Sequence, residues 1–176
     1  MNYLLNQIGY FGPMTLLLLI LFMFSTTAQP YNIYLYIYVI AWQVFNHFSN
    51  IVIKNTLKHP RPDSGENKDF KLLTPTMYNY FSIHRKFGMP SGHAQQVFSE
   101  LTFITLYFRN PIITTFAIIQ SCITFWQRYS ARRHYIKQLA VGSLIGILSG
   151  VIFYKSNAIF HPNNLEIITD ITDITV

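Results

Sequence analysis

The chain has 176 residues, of which 51% are hydrophobic, 16% aromatic and 11% charged. Soluble domains carry about 25% charged residues, so the composition argues against an ordinary soluble fold and for a membrane setting. The net charge of +6 raises a nucleic-acid partner, but the cations are interleaved with apolar stretches and no nucleic-acid fold pattern appears, so a membrane surface accounts for them better.

Apolar stretches over 11–28, 33–53, 94–108, 111–126 and 136–154 predict an all-α, polytopic integral membrane bundle of about five transmembrane helices. Such a bundle leaves no room for a second domain: residues 1–155 read as one membrane-embedded domain and 156–176 as a flexible tail. Residues 14–24 could be the core of a signal peptide cleaved after Ala28, but residues 1–10 hold no Lys or Arg, which favours a retained anchor. Tyr31, Tyr34, Tyr36 and Tyr38 crowd the start of the second stretch, as headgroup-level rings do. The polar segment from Pro62 to Met89 reads as a lid, with Lys68, Lys71, Arg85 and Lys86 available to anionic headgroups. His59 and His84 fall in no motif and read as surface residues. Pro111 opens the fourth helix after Arg109-Asn110. Gly142, Gly146 and Gly150 recur every four residues in the fifth, forming a smooth ridge for close helix packing. Cys122 is alone in an apolar span, so neither a disulfide framework nor a metal cluster is expected. The repeat Ile168-Thr169-Asp170, Ile171-Thr172-Asp173 matches neither helical nor strand period and reads as loosely ordered.

Three short motifs carry the chemistry. Lys54 precedes Arg61-Pro62 by six intervening residues; Pro90-Ser91-Gly92-His93 follows; Arg128 precedes His134 by five. A phosphoryl group in transfer spreads negative charge over its oxygens, which fixed cations and backbone donors stabilise. Lys54, Arg61 and Arg128 would form the clamp, the arginines offering bidentate forks. Ser91 and Gly92 stand where a helix begins, so their N–H groups can face an anion. Of the two histidines, one can attack phosphorus while the other protonates the leaving oxygen, a scheme that needs no metal and no cofactor. Threading five helices puts all three motifs on one side of the bilayer, with eleven of the thirteen Lys and Arg.

On these residues the chain resembles the type 2 phosphatidic acid phosphatase superfamily, which includes lipid pyrophosphatases and vanadium haloperoxidases. The first two motifs match fully; in the third, Arg128 and His134 match, while Gln127 replaces the expected serine and Gln138 the expected aspartate. The resemblance implies that His134 is the nucleophile forming a phosphohistidine and His93 the acid. It further implies that Lys54, Arg61, Ser91, Gly92 and Arg128 hold the phosphate of a phosphatidic acid-like or polyprenyl pyrophosphate substrate. Gln138, four residues after His134, shares its helical face and can accept the bond that orients the imidazole, but lacks the carboxylate charge. A weak or inactive homologue that binds lipid phosphates is therefore the alternative. Glu100, two turns beyond His93, is the carboxylate inside an apolar span; it could support a histidine or make a polar helix contact.

Overall fold

The computed structural model describes residues 3–27, 33–62 and 87–160. Among them there are six helices and no strand: α1 (Tyr3–Tyr10), α2 (Gly12–Thr27), α3 (Ile33–Leu57), α4 (Gly92–Phe108), α5 (Pro111–Ser130) and α6 (Ile136–Phe160). The architecture is all-α. Each of the five expected apolar stretches becomes a helix, and α1 is an addition, lying before the first of them. α6 runs on to Phe160, past the expected start of the tail at 156. Most of the expected lid, with His84, and the Ile-Thr-Asp repeat lie outside the described residues.

Helix boundaries follow local chemistry. Ser91 caps α4, its side chain accepting from the Ala94 amide, and Asn110 caps α5 through bonds from the Ile112 and Ile113 amides, with Pro111 just inside. Such caps satisfy amides that have no partner within the helix. α4 ends where Arg109 takes a left-handed backbone, φ 48°.

The bundle is built on α4. Its backbone lies against α6 because the glycine ridge leaves no side chains between them: a Cβ on Gly142 would sit 2.6 Å from Ser91 O, and one on Gly150 2.5 Å from Ser99 O. At one end of the bundle an aromatic cluster fills the core. Phe24 packs edge-on against Phe103 and Tyr107, and Phe153 stacks on Trp42. Tyr38, expected in a headgroup belt, instead stacks inward on Phe153 and hydrogen-bonds Ser156, whereas Tyr34 stays exposed.

Polar residues face inward and apolar ones outward. On α3, Asn46 is 1% exposed while its neighbours Val44 and Phe45 are 64% and 58% exposed. The inner faces share a hydrogen-bonded chain. Asn50 Nδ2 donates to Gln95 Oε1 at 2.7 Å, Gln95 Nε2 to Asn46 Oδ1 at 2.7 Å, and Asn46 Nδ2 to Gln96 Oε1 at 3.0 Å. Glu100 Oε1 then accepts from Gln96 and Gln43, each at 2.9 Å. Glu100 is thus held by amides, not by a histidine. Buried amides without partners would each cost about 1–3 kcal/mol, so this chain fixes the register of α3 against α4. Among the described residues one helical segment, Ile136–Asn157, is by itself long and apolar enough to cross a membrane; Tyr3–Tyr10 and Gly12–Thr26 qualify together but meet at a 58° bend.

Candidate functional site

The C-terminal ends of α3 and α5 and the N-terminal ends of α4 and α6 meet at one end of the bundle, where the three motifs converge. Lys54 lies in the last turn of α3 and Arg128 in the last turn of α5. Both are buried, at 8% and 7% exposure. Arg61, half-buried in the segment after α3, donates from Nε to the Phe87 carbonyl at 3.3 Å. That contact, with the Pro60–Phe87 bridge and the Gly88 N–H to His59 O bond at 2.8 Å, ties the first motif to the approach to the second.

Arg61 and Arg128 lie close enough to Lys54 to act on its ammonium. All three cations act on His93 and on His134. Among the described residues Glu100 is the sole carboxylate side chain, and it is held by Gln43 and Gln96. Three clustered cations repel one another, so the arrangement suits a ligand carrying two or more negative charges.

Ser91 and Gly92 form the mouth of α4. Ser91 N–H is engaged with the Gln138 carbonyl at 3.0 Å, so this expected phosphate donor is occupied by protein. Gly92 has room for little else, since a Cβ there would meet Asn50 Oδ1 at 3.2 Å. His93 occupies the first turn, half-buried.

His134 is buried in the segment between α5 and α6, 2% exposed. Its Nδ1 lies 2.9 Å from the Gly88 carbonyl and 3.3 Å from Gln138 Oε1. A carbonyl oxygen can only accept, so Nδ1 carries the hydrogen and Nε2 keeps its lone pair. The shorter bond goes to Gly88, a backbone group that no sequence motif announces. Burial, followed by the charges of Arg61, Arg128, Lys54 and His93, lowers the His134 pKa well below the ordinary imidazole value of 6.5. The ring is therefore neutral at pH 7.

Gln138 is fully buried and does more than the orienting role assigned to it. Its Oε1 also accepts from the Tyr135 N–H at 3.2 Å, while Nε2 donates to Pro60 O at 2.7 Å and meets His59 Nδ1 at 2.8 Å. Two donors face its oxygen while its nitrogen donates to a backbone carbonyl, a pattern an amide satisfies and a carboxylate does not. Gly88 must lack a side chain for this, because a Cβ there would lie 2.5 Å from Gln138 Oε1. His59, expected at the surface, is half-buried and part of this cluster.

Gln127 has a different role: its Nε2 donates to Asn6 Oδ1 at 2.7 Å, fastening α1 to α5. Tyr10, the last residue of α1, reaches the site, its ring centroid 5.5 Å from that of His93 and 5.9 Å from Arg128 Cζ. The sequence signals for α1 were Leu4 and Ile8 at helical spacing and the pair Gly9 and Gly12. Beside His134 a groove of about 810 Å³ opens outward, lined by Pro62, Tyr129, Tyr135 and Ile136 with Arg132 and Lys137.

The model of one protein family, the PAP2 superfamily, matches residues 30–160. Among curated proteins the chain is similar to dolichyldiphosphatase 1 of Dictyostelium discoideum, with 29% identity over 137 residues, covering 71% of this chain and 54% of the relative. The chain thus spans about half the length of the curated relative it matches. No solved structure matches it.

Proposed function

The chain belongs to the PAP2 superfamily, and from that premise we propose that it is an integral membrane phosphatase that hydrolyses a lipid phosphate or polyprenyl pyrophosphate through a phosphohistidine, without a metal. The observation that carries the reading is the Gly88 carbonyl 2.9 Å from His134 Nδ1, which leaves a neutral Nε2 ready to attack phosphorus amid Lys54, Arg61 and Arg128.

In the proposed reaction His134 Nε2 forms a bond to phosphorus as the bond to the leaving oxygen breaks. His93 gives its proton to that oxygen. Water then attacks the phosphohistidine, His93 takes a proton from it, and phosphate leaves with His134 neutral again. Lys54, Arg61 and Arg128 neutralise the phosphoryl oxygens, and the N-terminal end of α4 at Gly92 adds its dipole. The Ser91 side chain serves chiefly as the cap. The groove beside His134, apolar in its walls with Arg132 and Lys137 at hand, suits the headgroup end of a lipid. A relative named a dolichyldiphosphatase supports a polyprenyl diphosphate as the substrate class.

Membrane integration of α2 to α6 as a multi-pass bundle of about five spans is supported by the inverted distribution of residues. Asn46, Asn50, Gln95 and Glu100 are buried, whereas Phe22, Phe48, Ile119, Leu148 and Ile152 are exposed. Apolar side chains turned outward need lipid, and inward polar ones lower the mean hydropathy of α3, α4 and α5. The phosphatase domain then extends to the end of α6 at Phe160, past the expected boundary at 155.

A second reading, a protein that binds lipid phosphates without turnover, draws on Gln127 and Gln138. The test covers both: phosphate release from phosphatidic acid and a polyprenyl diphosphate by detergent-solubilised protein with EDTA present, beside His134→Ala. Release lost in His134→Ala supports the enzyme. Saturable binding of vanadate with no release from either substrate supports the second reading.

A further inference from the structure

The N-terminal segment 3–27 lies outside the stretch matched by the family model, residues 30–160, yet α1 ends on the site. It is fixed there closely. Gly9 allows contact so tight that a Cβ would lie 2.5 Å from Gln127 Cβ and 3.0 Å from Ile123 O. Asn6 bonds Gln127 at 2.7 Å, and Gln120 Nε2 donates to the Ile8 carbonyl at 2.9 Å.

The last carbonyls of a helix have no partner within it and carry its negative end. In α1 the Gln7 carbonyl is taken up by Phe11 N–H and the Ile8 carbonyl by Gln120. The backbone of Tyr10 hydrogen-bonds His93. A ring held on one side by that backbone keeps its other ring nitrogen in a fixed direction, as delivery of a proton to the leaving oxygen requires. The Tyr10 ring also touches both His93 and Arg128.

We propose that Tyr10, presented by α1, is a positioning residue for His93: its backbone holds the imidazole in place, and its ring keeps His93 and Arg128 apart and aligned. This rests on the reading of His93 as the leaving-group acid. It predicts that disturbing α1 harms reactions that need an acid more than those that do not. General acid catalysis contributes about 10²–10⁴-fold, and a 4-nitrophenolate leaves without a proton whereas an alkoxide does not.

The experiment compares octyl phosphate with 4-nitrophenyl phosphate in wild type, Gly9→Val, Tyr10→Ala, Tyr10→Phe and His134→Ala. In Gly9→Val and Tyr10→Ala, kcat on the alkyl ester falls by about 100-fold and on the aryl ester by less than about 5-fold. Tyr10→Phe, which keeps the ring that Tyr10→Ala removes, recovers most of the alkyl activity lost in Tyr10→Ala. Equal losses on both esters, or no loss on either, overturn the proposal. Loss of both esters in His134→Ala belongs to the nucleophile reading and separates the two. A second measurement does not depend on turnover: the rate of His93 carbethoxylation, followed by mass spectrometry in the folded protein. Gly9→Val raises that rate several-fold; an unchanged rate overturns the proposal.

Discussion

Replacing Gln138 by leucine asks which group holds the reacting imidazole. His134 Nδ1 has one hydrogen and two acceptors, the Gly88 carbonyl at 2.9 Å and Gln138 Oε1 at 3.3 Å. The first distance is that of a good N–H to oxygen bond and the second lies beyond the ordinary range. Leucine removes the second and leaves the first. A neutral hydrogen bond contributes about 0.5–1.5 kcal/mol net, so kcat falls by about 2- to 13-fold. If Gln138 instead carried the whole orienting role, the fall would approach about 10⁴-fold, as it does when an orienting carboxylate is made an amide in a serine protease. Stability changes more: Tyr135 N–H loses its acceptor and Pro60 O its donor, and with Pro60 exposed to water the loss is about 2 kcal/mol. The assay is initial-rate phosphate release at saturating substrate, on protein shown by thermal melting to be folded. A fall of about a thousandfold or more in folded Gln138→Leu would refute the assignment to Gly88.

Gly142→Ala places a methyl group 2.6 Å from Ser91 O and parts α6 from the start of α4; stability drops by about 1–3 kcal/mol, read by thermal melting, and vanadate binding weakens. The lowered His134 pKa sets the pH profile: kcat/KM holds as pH falls past 6.5 and is lost only where the folded-state imidazole takes a proton. Folding stability has the same cause, being fully present above pH 6.5 and declining below it, because the unfolded chain binds that proton first. Glu100→Gln exchanges the acceptor shared by Gln43 and Gln96 for an amide without touching the motifs; it lowers the melting temperature and leaves kcat within about threefold. A loss of turnover at unchanged stability would give Glu100 a part in the chemistry.

The motif residues were legible because each motif is defined by short spacings of unusual side chains, and those spacings survive folding as helix ends. The glycine ridge was legible for the same reason: a four-residue period maps onto one helix face. The Gly88 carbonyl was not, since a backbone acceptor leaves no mark on residue type. His59 was read as a surface residue because it belongs to no motif, yet its partner Gln138 lies 79 positions away. Gln127 and Gln138 looked like departures from a pattern; in the fold each amide joins elements that the pattern does not describe, α1 in one case and the segment at Pro60 in the other. α1 escaped notice because Asn6, Gln7 and Gly9 dilute its hydropathy, and their role shows only against α5. Tyr38 was misplaced because the end of a helix does not reveal which of its faces is turned inward.

The central claim is that His134 accepts the phosphoryl group. Rapid alkaline quench of the protein during turnover of phosphatidic acid with EDTA present, followed by peptide mass spectrometry, tests it most directly. The account predicts a phosphoryl group on the imidazole of His134, absent from His134→Ala and accumulating in His93→Ala on an aryl ester. Steady release of phosphate with no phosphoryl group on His134, or the same label in His134→Ala, would contradict it.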